Sequence, residues 1–151
     1  NARSAWKEMS DPKAMVGKDK LFCIENLLHS ETLGYMMKSV PVAGRLPAPL
    51  LRGGTLLRDL PVGDDIAALD ELVKLLRLRV CLSGLKQGDK IDVRLNGRQL
   101  ESEPEKPQWL VADVSPQVMK QGDNGLALAY HSGVNESLTV MSVELQVEYE
   151  E

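Results

Sequence analysis

The sequence predicts an all-β protein, an antiparallel β-sandwich with one or two short helices. Several short runs alternate apolar with polar residues, which is the period of a strand with one buried face. Clusters of Gly, Asn and Asp separate these runs, as the turns between antiparallel strands require. The 151 residues are 43% hydrophobic, so a core can form within one domain. We therefore predict a single β-sandwich domain over residues 1–151.

The first sixty residues form the less regular part of the chain. Residues 21–24 and 56–62 each predict a strand, whereas three prolines and a glycine within 40–49 predict an extended loop or an edge strand. This part carries a net charge of +3, and residues 61–151 carry −7. Residues 1–60 could therefore serve partly as an interdomain linker or packing segment.

A helical pattern follows Gly63. Either Asp64 or Asp65 could cap the first turn and oppose the positive end of the helix dipole. Strand alternation begins again at Arg77, so we expect this helix to be short. The apolar residues that fall near one helical face are Ile66, Leu69, Leu72, Val73 and Leu76.

Alternation is clearest in the second part of the chain, where residues 77–83, 91–95, 126–130 and 141–149 predict strands. Asn96-Gly97 and residues 122–125 suit turns that need a positive φ. The polar residues of each run predict a solvated outer face. The predicted inner-face residues are Leu78, Val80, Leu82, Ile91, Val93, Leu95, Leu126, Leu128, Tyr130, Met141, Val143, Leu145, Val147 and Tyr149.

Residues 109–114 predict a further strand, which is followed by a helical turn. Ser115 resembles an N-cap and Pro116 a first helical residue, so we expect one turn through Met119. A turn over residues 120–125 then leads into the strand 126–130.

These residues carry a family resemblance. Asp113-Val114-Ser115-Pro116, the later Gly122-Asp123-Asn124 and the hairpin Asn96-Gly97-Arg98 resemble recurrent motifs of galactose-binding-like jelly rolls. Residues 6–12 and 18–22 resemble the start of a C-terminal domain found behind glycosidase-like barrels. The resemblance implies a jelly-roll accessory domain of a glycoside-hydrolase-like protein, with an upstream domain of the same parent as partner. It favours an extracytoplasmic location and transfers no catalytic residue.

The remaining sequence features argue against catalysis and metal binding. The two histidines, His29 and His131, have no nucleophile motif beside them, so we expect structural roles and no enzyme activity in this chain. Cys23 and Cys81 lack zinc-ligand spacing and are expected to be free, largely buried thiols. We expect no cofactor. A structural Ca²⁺ at residues 64–65 or 122–124 stays open as an alternative, although the oxygen ligands are few.

Charge and chain ends limit the partners. The net charge of −4 argues against nucleic acid and anionic membranes. No apolar run approaches the roughly 18 residues that span a bilayer, and no signal-peptide core is present. Because the chain begins at Asn1 rather than Met, we expect a processed protein or a fragment of a longer one.

With catalysis and metal binding disfavoured, ligand binding is the remaining class of function. The small number of aromatic residues limits the ways in which the chain could bind a sugar. Tyr130 and Tyr149 fall on core faces, so a sugar would need other rings or polar loops. We expect a structural or domain-interaction role first, carbohydrate binding second and an oligomerisation or docking role third. The candidate ligand-binding residues are Trp6, Tyr35, Asn96, Arg98, Trp109 and Asp123.

Overall fold

The computed structural model describes residues 19–24, 46–105 and 108–150. Within these ranges ten strands form two antiparallel sheets and two short 3-10 helices interrupt them, Asp70–Leu72 and Pro116–Val118. The strands are β1 (Lys20–Cys23), β2 (Ala48–Leu51), β3 (Thr55–Val62), β4 (Val73–Ser83), β5 (Lys90–Leu95), β6 (Arg98–Leu100), β7 (Glu103–Glu105), β8 (Trp109–Asp113), β9 (Gly122–Ser132) and β10 (Ser137–Tyr149).

One sheet has six strands and the other has four. The six-stranded sheet has the order β1-β10-β4-β8-β7, with β2 also paired to β10. The four-stranded sheet has the order β3-β9-β5-β6. Strands β2 and β1 pair with successive halves of β10, at residues 137–140 and 144–147. The long β10 therefore joins the N-terminal strands to β4 in the middle of this sheet.

The core lies between the two sheets and is built by the predicted alternation. Side chains from both sheets form one cluster of buried apolar residues, so the predicted all-β sandwich is confirmed. Tyr130 is 0% exposed and Tyr149 5% exposed, which confirms their assignment to the core. Jelly-roll connectivity stays a prediction. None of the helices in the described ranges has the length and apolar character needed to cross a membrane.

A bulge in β10 changes the alternation at one point. Val140 pairs with Leu82 and Ser142 pairs with Cys81, so Met141 is an extra residue on this strand. Leu138 and Val140 are buried before the bulge, whereas the odd-numbered positions 143 to 149 are buried after it. The prediction that Met141 belongs to the inner-face set is therefore wrong, since it is only half-buried.

The short helix predicted after Gly63 is reduced to turns and one 3-10 helix. Turns over residues 66–69 lead to the 3-10 helix Asp70–Leu72, and β4 starts at Val73. Leu72 is 45% exposed rather than on a buried helical face. The last two positions of the helical pattern, Val73 and Leu76, instead belong to β4. Their backbone is held in a strand because β4 pairs with β10 on one side and with β8 on the other. Only Asp65 caps, accepting a hydrogen bond from the Ala68 N–H at 3.2 Å.

The turn after β8 is present as a 3-10 helix, Pro116–Val118. Pro116 occupies its first turn as expected, but the Ser115 side chain makes no capping hydrogen bond. The prolines in strands β2, β3 and β7 lie on edge strands, where the missing N–H breaks no ladder.

Candidate functional site

A groove of about 810 Å³ lies on the outer face of the four-stranded sheet. Its floor is β9, where Gly125 and Ala127 face outward between the buried Asn124, Leu126 and Leu128. Neither floor residue has a side chain larger than methyl. The floor is therefore low compared with the side chains of the strands beside it.

Strand register places one wall on each side of this floor. Leu57 of β3 and Arg94 of β5 both pair with Ala127, and Asp59 of β3 pairs with Gly125. Since neighbouring strands lie about 4.8 Å apart, the backbones of the two walls are roughly 10 Å apart.

Charged side chains surround the groove without neutralising one another. Asp59, Arg94, Lys120 and Asp123 all line it. Across the described ranges, none of these four side chains makes a side-chain hydrogen bond or ion pair. Both hydrogen-bond donors and acceptors are therefore available to a ligand.

The end of the groove is held by Asn96, in the β5–β6 turn. Its amide Nδ2 donates to the Val118 carbonyl and to Asn124 Oδ1, both at 2.8 Å. Its Oδ1 accepts from the Gly125 N–H at 2.9 Å. Asn96 has a positive φ of 52°, which fits its place in this turn. Because both amide donors are used within the fold, Asn96 supports the groove rather than offering those donors to a ligand.

Asn124 completes this support from beneath the groove. It is 0% exposed, and its Oδ1 accepts from the Lys120 N–H at 2.8 Å. Its Nδ2 donates to the carbonyls of Lys120 at 2.9 Å and Gly122 at 3.1 Å. The loop that carries Lys120 is therefore fixed to the start of β9, which carries Asp123. The two motifs Asn96-Gly97 and Gly122-Asp123-Asn124 meet at this point.

The predicted ligand-binding residues are not all brought together. Asn96 and Asp123 line the groove, whereas Arg98 is exposed on β6 outside its lining. Trp109 lies on β8 in the other sheet. Trp6 and Tyr35 lie outside the described residues. Sequence reasoning missed Leu57, Asp59, Arg94 and Lys120, which only the strand register and the fixed loop bring to the groove.

His131 lies beyond the groove on the outer face of β9. Its Nε2 is 2.5 Å from Asp92 Oδ2, and Gln99 Nε2 donates to Asp92 Oδ1 at 3.5 Å. Among the described residues, no hydroxyl or thiol hydrogen-bonds to either of these two side chains. His29, the other predicted structural histidine, is outside the described residues.

Trp109 is covered on one face. The Arg79 guanidinium carbon lies 4.6 Å from the centre of the Trp109 ring, and Arg79 also pairs with Glu144 at 3.7 Å. The ring face under this guanidinium is not available to a sugar.

The two cysteines lie on the outer face of the six-stranded sheet. Both are free, as expected, but each is half-buried rather than largely buried. Burial, with a smaller contribution from Glu144, raises the pKa of Cys23 to about 11 and also raises the pKa of Cys81. Neither thiol is thus activated as a nucleophile.

A buried ionic cluster joins β1, β10 and the loop after β3. Lys20 Nζ lies 2.8 Å from Asp64 Oδ2 and 3.0 Å from Oδ1, and the Tyr149 hydroxyl donates to Oδ2 at 2.8 Å. Burial and this hydrogen bond raise the pKa of Tyr149. The Asp64 carboxylate is therefore used within the fold. Among the described residues, no group of three or more His, Cys, Asp or Glu side chains is arranged to hold a metal ion.

The buried hydroxyl of Tyr130 lies at the other end of the sandwich. The Tyr130 hydroxyl donates to Asp89 Oδ1 at 3.1 Å and accepts from the Asn135 N–H at 3.3 Å, and burial raises its pKa. Gly133 crosses directly over this contact. A Cβ there would lie 2.0 Å from Asp89 Oδ1 and 2.2 Å from the Tyr130 oxygen. Only glycine leaves room for this arrangement.

Comparison with known proteins gives little to identify the chain. No protein-family model matches it. No curated protein sequence matches it either. Among solved structures, it is similar to one described as the crystal structure of FLHE, at 15% identity and a TM-score of 0.43. That likeness covers 89% of this chain and 99% of FLHE. At this level of likeness, function has to be argued from the residues of this chain itself.

Proposed function

We propose that this chain is a non-catalytic accessory domain that binds carbohydrate in the groove of the four-stranded sheet. The observation that supports this is the set of unpaired charged side chains, Asp59, Arg94, Lys120 and Asp123, around a floor of small residues. The parent protein would be glycoside-hydrolase-like, as the sequence resemblance implies.

Sugar hydroxyls complement this arrangement because each can donate and accept. The carboxylates of Asp59 and Asp123 accept from hydroxyls, and the cations of Arg94 and Lys120 donate to them. Gly125 allows a sugar ring to approach the backbone closely. Leu57, which is 68% exposed, offers apolar surface to the C–H face of the ring.

No aromatic side chain is among the residues that line the groove. Stacking of a ring on a pyranose face therefore does not contribute to binding there. We expect a dissociation constant near the millimolar range, which corresponds to about −4 kcal/mol.

A docking role has less to support it in the surface of the described residues. In the described residues the exposed large apolar side chains are distributed over β2, β3, a 3-10 helix and the β9–β10 loop. A docking face normally gathers such residues into one patch of several hundred Å². These side chains are Leu51, Leu57, Leu72 and Val134.

Retardation in native gels that contain polysaccharide tests the proposal. We expect the wild type to be retarded by at least one polysaccharide of a broad panel, and Leu57→Asp to migrate freely. Leu51→Asp is the matched control, because Leu51 is 61% exposed on an edge strand of the other sheet. It should behave as the wild type. No retardation across the panel would contradict the proposal.

A further inference from the structure

We infer that the sugar bound in the groove is acidic, and that Arg94 binds its carboxylate. This inference rests on the proposed function and specifies its ligand class. A guanidinium on the face of a sheet can form two parallel hydrogen bonds with a carboxylate, an arrangement that is geometrically specific.

Arg94 occupies a central position in the four-stranded sheet. It is exposed on β5 and pairs with Ala127 on the groove side and with Gln99 of β6 on the other. Neither neighbour carries a charge. No described side chain hydrogen-bonds or ion-pairs with its guanidinium.

The acid nearest to Arg94 along its own strand is already occupied. Asp92 precedes Arg94 by two residues and therefore shares its face of the sheet. Its two oxygens are engaged by His131 of β9 at 2.5 Å and by Gln99 of β6 at 3.5 Å. Both oxygens of Asp92 are therefore in contact with other side chains, and neither is paired with the Arg94 guanidinium.

The arginines on the six-stranded sheet provide a contrast. Arg77 pairs with Asp113 at 3.1 Å, and Arg79 pairs with Glu144 at 3.7 Å. In both pairs the acid lies directly across on the neighbouring strand. Arg94 lacks such an acid, and an anionic group on the ligand would supply it.

The two groove carboxylates favour an acidic sugar over an acidic peptide. The side chains of a run of glutamates or aspartates offer Asp59 and Asp123 only hydrogen-bond acceptors. A uronic acid residue instead offers hydroxyl donors to Asp59 and Asp123 and one carboxylate to Arg94. The groove also lies on the face of the sheet, where a peptide could not add as a further strand.

Isothermal titration calorimetry can compare acidic tetrasaccharides with their methyl esters. The probes are tetrasaccharides of galacturonate, glucuronate and mannuronate, together with the fully esterified form of each. We expect at least one acid form to bind about tenfold more tightly than its ester, and Arg94→Gln to abolish the difference. Arg98→Gln is the control, since Arg98 is exposed outside the groove lining. It should keep the full difference.

His131 is a positioning residue in this scheme, and a second variant tests that role. His131→Leu releases Asp92 to pair with Arg94, so the preference for the acid form should fall while ester binding stays unchanged. Asp92→Asn added to His131→Leu removes the competing charge and should restore the preference. Circular dichroism and urea unfolding confirm that each variant is folded.

The outcomes separate this inference from the proposed function. If every acid form and its ester bind equally, the inference that the ligand is acidic is wrong, and the proposal of carbohydrate binding is unaffected. Binding of neither the acidic tetrasaccharides nor any polysaccharide would overturn both. If a tetraglutamate peptide binds more tightly than every tetrasaccharide, the ligand of the groove is an acidic peptide rather than a sugar.

Discussion

Lys20→Met should destabilise the fold strongly through the buried cluster. The substitution keeps much of the side-chain volume and removes the ammonium from contacts of 2.8 and 3.0 Å with the Asp64 carboxylate. The two side chains are 1% and 4% exposed, so water cannot replace those contacts. Asp64 is then left with the Tyr149 hydroxyl. Breaking a buried pair in this way costs about 3–5 kcal/mol.

That loss is large enough for routine measurement. At about 2–4 °C per kcal/mol for a chain of this size, the midpoint of thermal unfolding should fall by about 6–20 °C. The double variant Lys20→Met/Asp64→Leu removes both charges and should lose less than the single variant, because no buried charge is left unpaired. Urea unfolding followed by circular dichroism measures both variants.

An exposed ion pair is the matched control. Arg77 and Asp113 form a pair with side chains 35% and 77% exposed, and Arg77→Met should cost about 0–1 kcal/mol. The reasoning is refuted if Lys20→Met costs no more than Arg77→Met, or if the double variant is less stable than the single one.

Three further substitutions test other parts of the fold. Gly133→Ala places a Cβ against the side-chain oxygens of Asp89 and Tyr130 and should cost about 3 kcal/mol by urea unfolding, whereas Gly63→Ala meets no atom within 4 Å and should cost much less. Asn124→Ala should cost about 2–4 kcal/mol by the same assay, because buried partners lose their hydrogen bonds; a loss below about 1 kcal/mol would contradict its supporting role. In Cys81→Ala, where Cys23 is the remaining cysteine, Cys23 should react with a disulfide reagent at pH 8 roughly a hundredfold more slowly than a thiol of ordinary pKa. The rate should rise as the pH approaches 11, because the thiolate forms there. Reaction at the ordinary rate would refute the raised pKa.

Local alternation is enough to predict most strands but not their exceptions. The inner faces of β4 and β9 follow from a period of two in the sequence, and burial confirms them. The bulge at Met141 depends on pairing between β10 and β4, and the sequence of β10 does not signal it. A period-two pattern therefore fails where a partner strand imposes an extra residue.

The helix predicted after Gly63 is shorter than its apolar pattern for a related reason. Ile66 and Leu69 fit a helical face, and both pack in or against the core. Val73 and Leu76 fit the same face, but they belong to a strand that is paired on both sides. Tertiary pairing overrode a short local pattern whose intrinsic preference is weak.

The candidate site was only partly predictable. The motif residues Asn96 and Asp123 lie at the groove, because turn motifs mark where loops of the same sheet end. Leu57 and Arg94, however, come from strands far apart in the sequence and meet across Ala127 only through the register of β3, β9 and β5. Residue types alone carry no information on that register.

Mapping a bound sugar onto the amides by NMR tests the central claim most directly. On titration of the ¹⁵N-labelled chain with a tetrasaccharide that it binds, the shifts of Gly125, Ala127, Leu57 and Arg94 should change together and saturate with one dissociation constant. Shifts confined to the six-stranded sheet around Trp109, with the amides of the groove unchanged, would contradict the account.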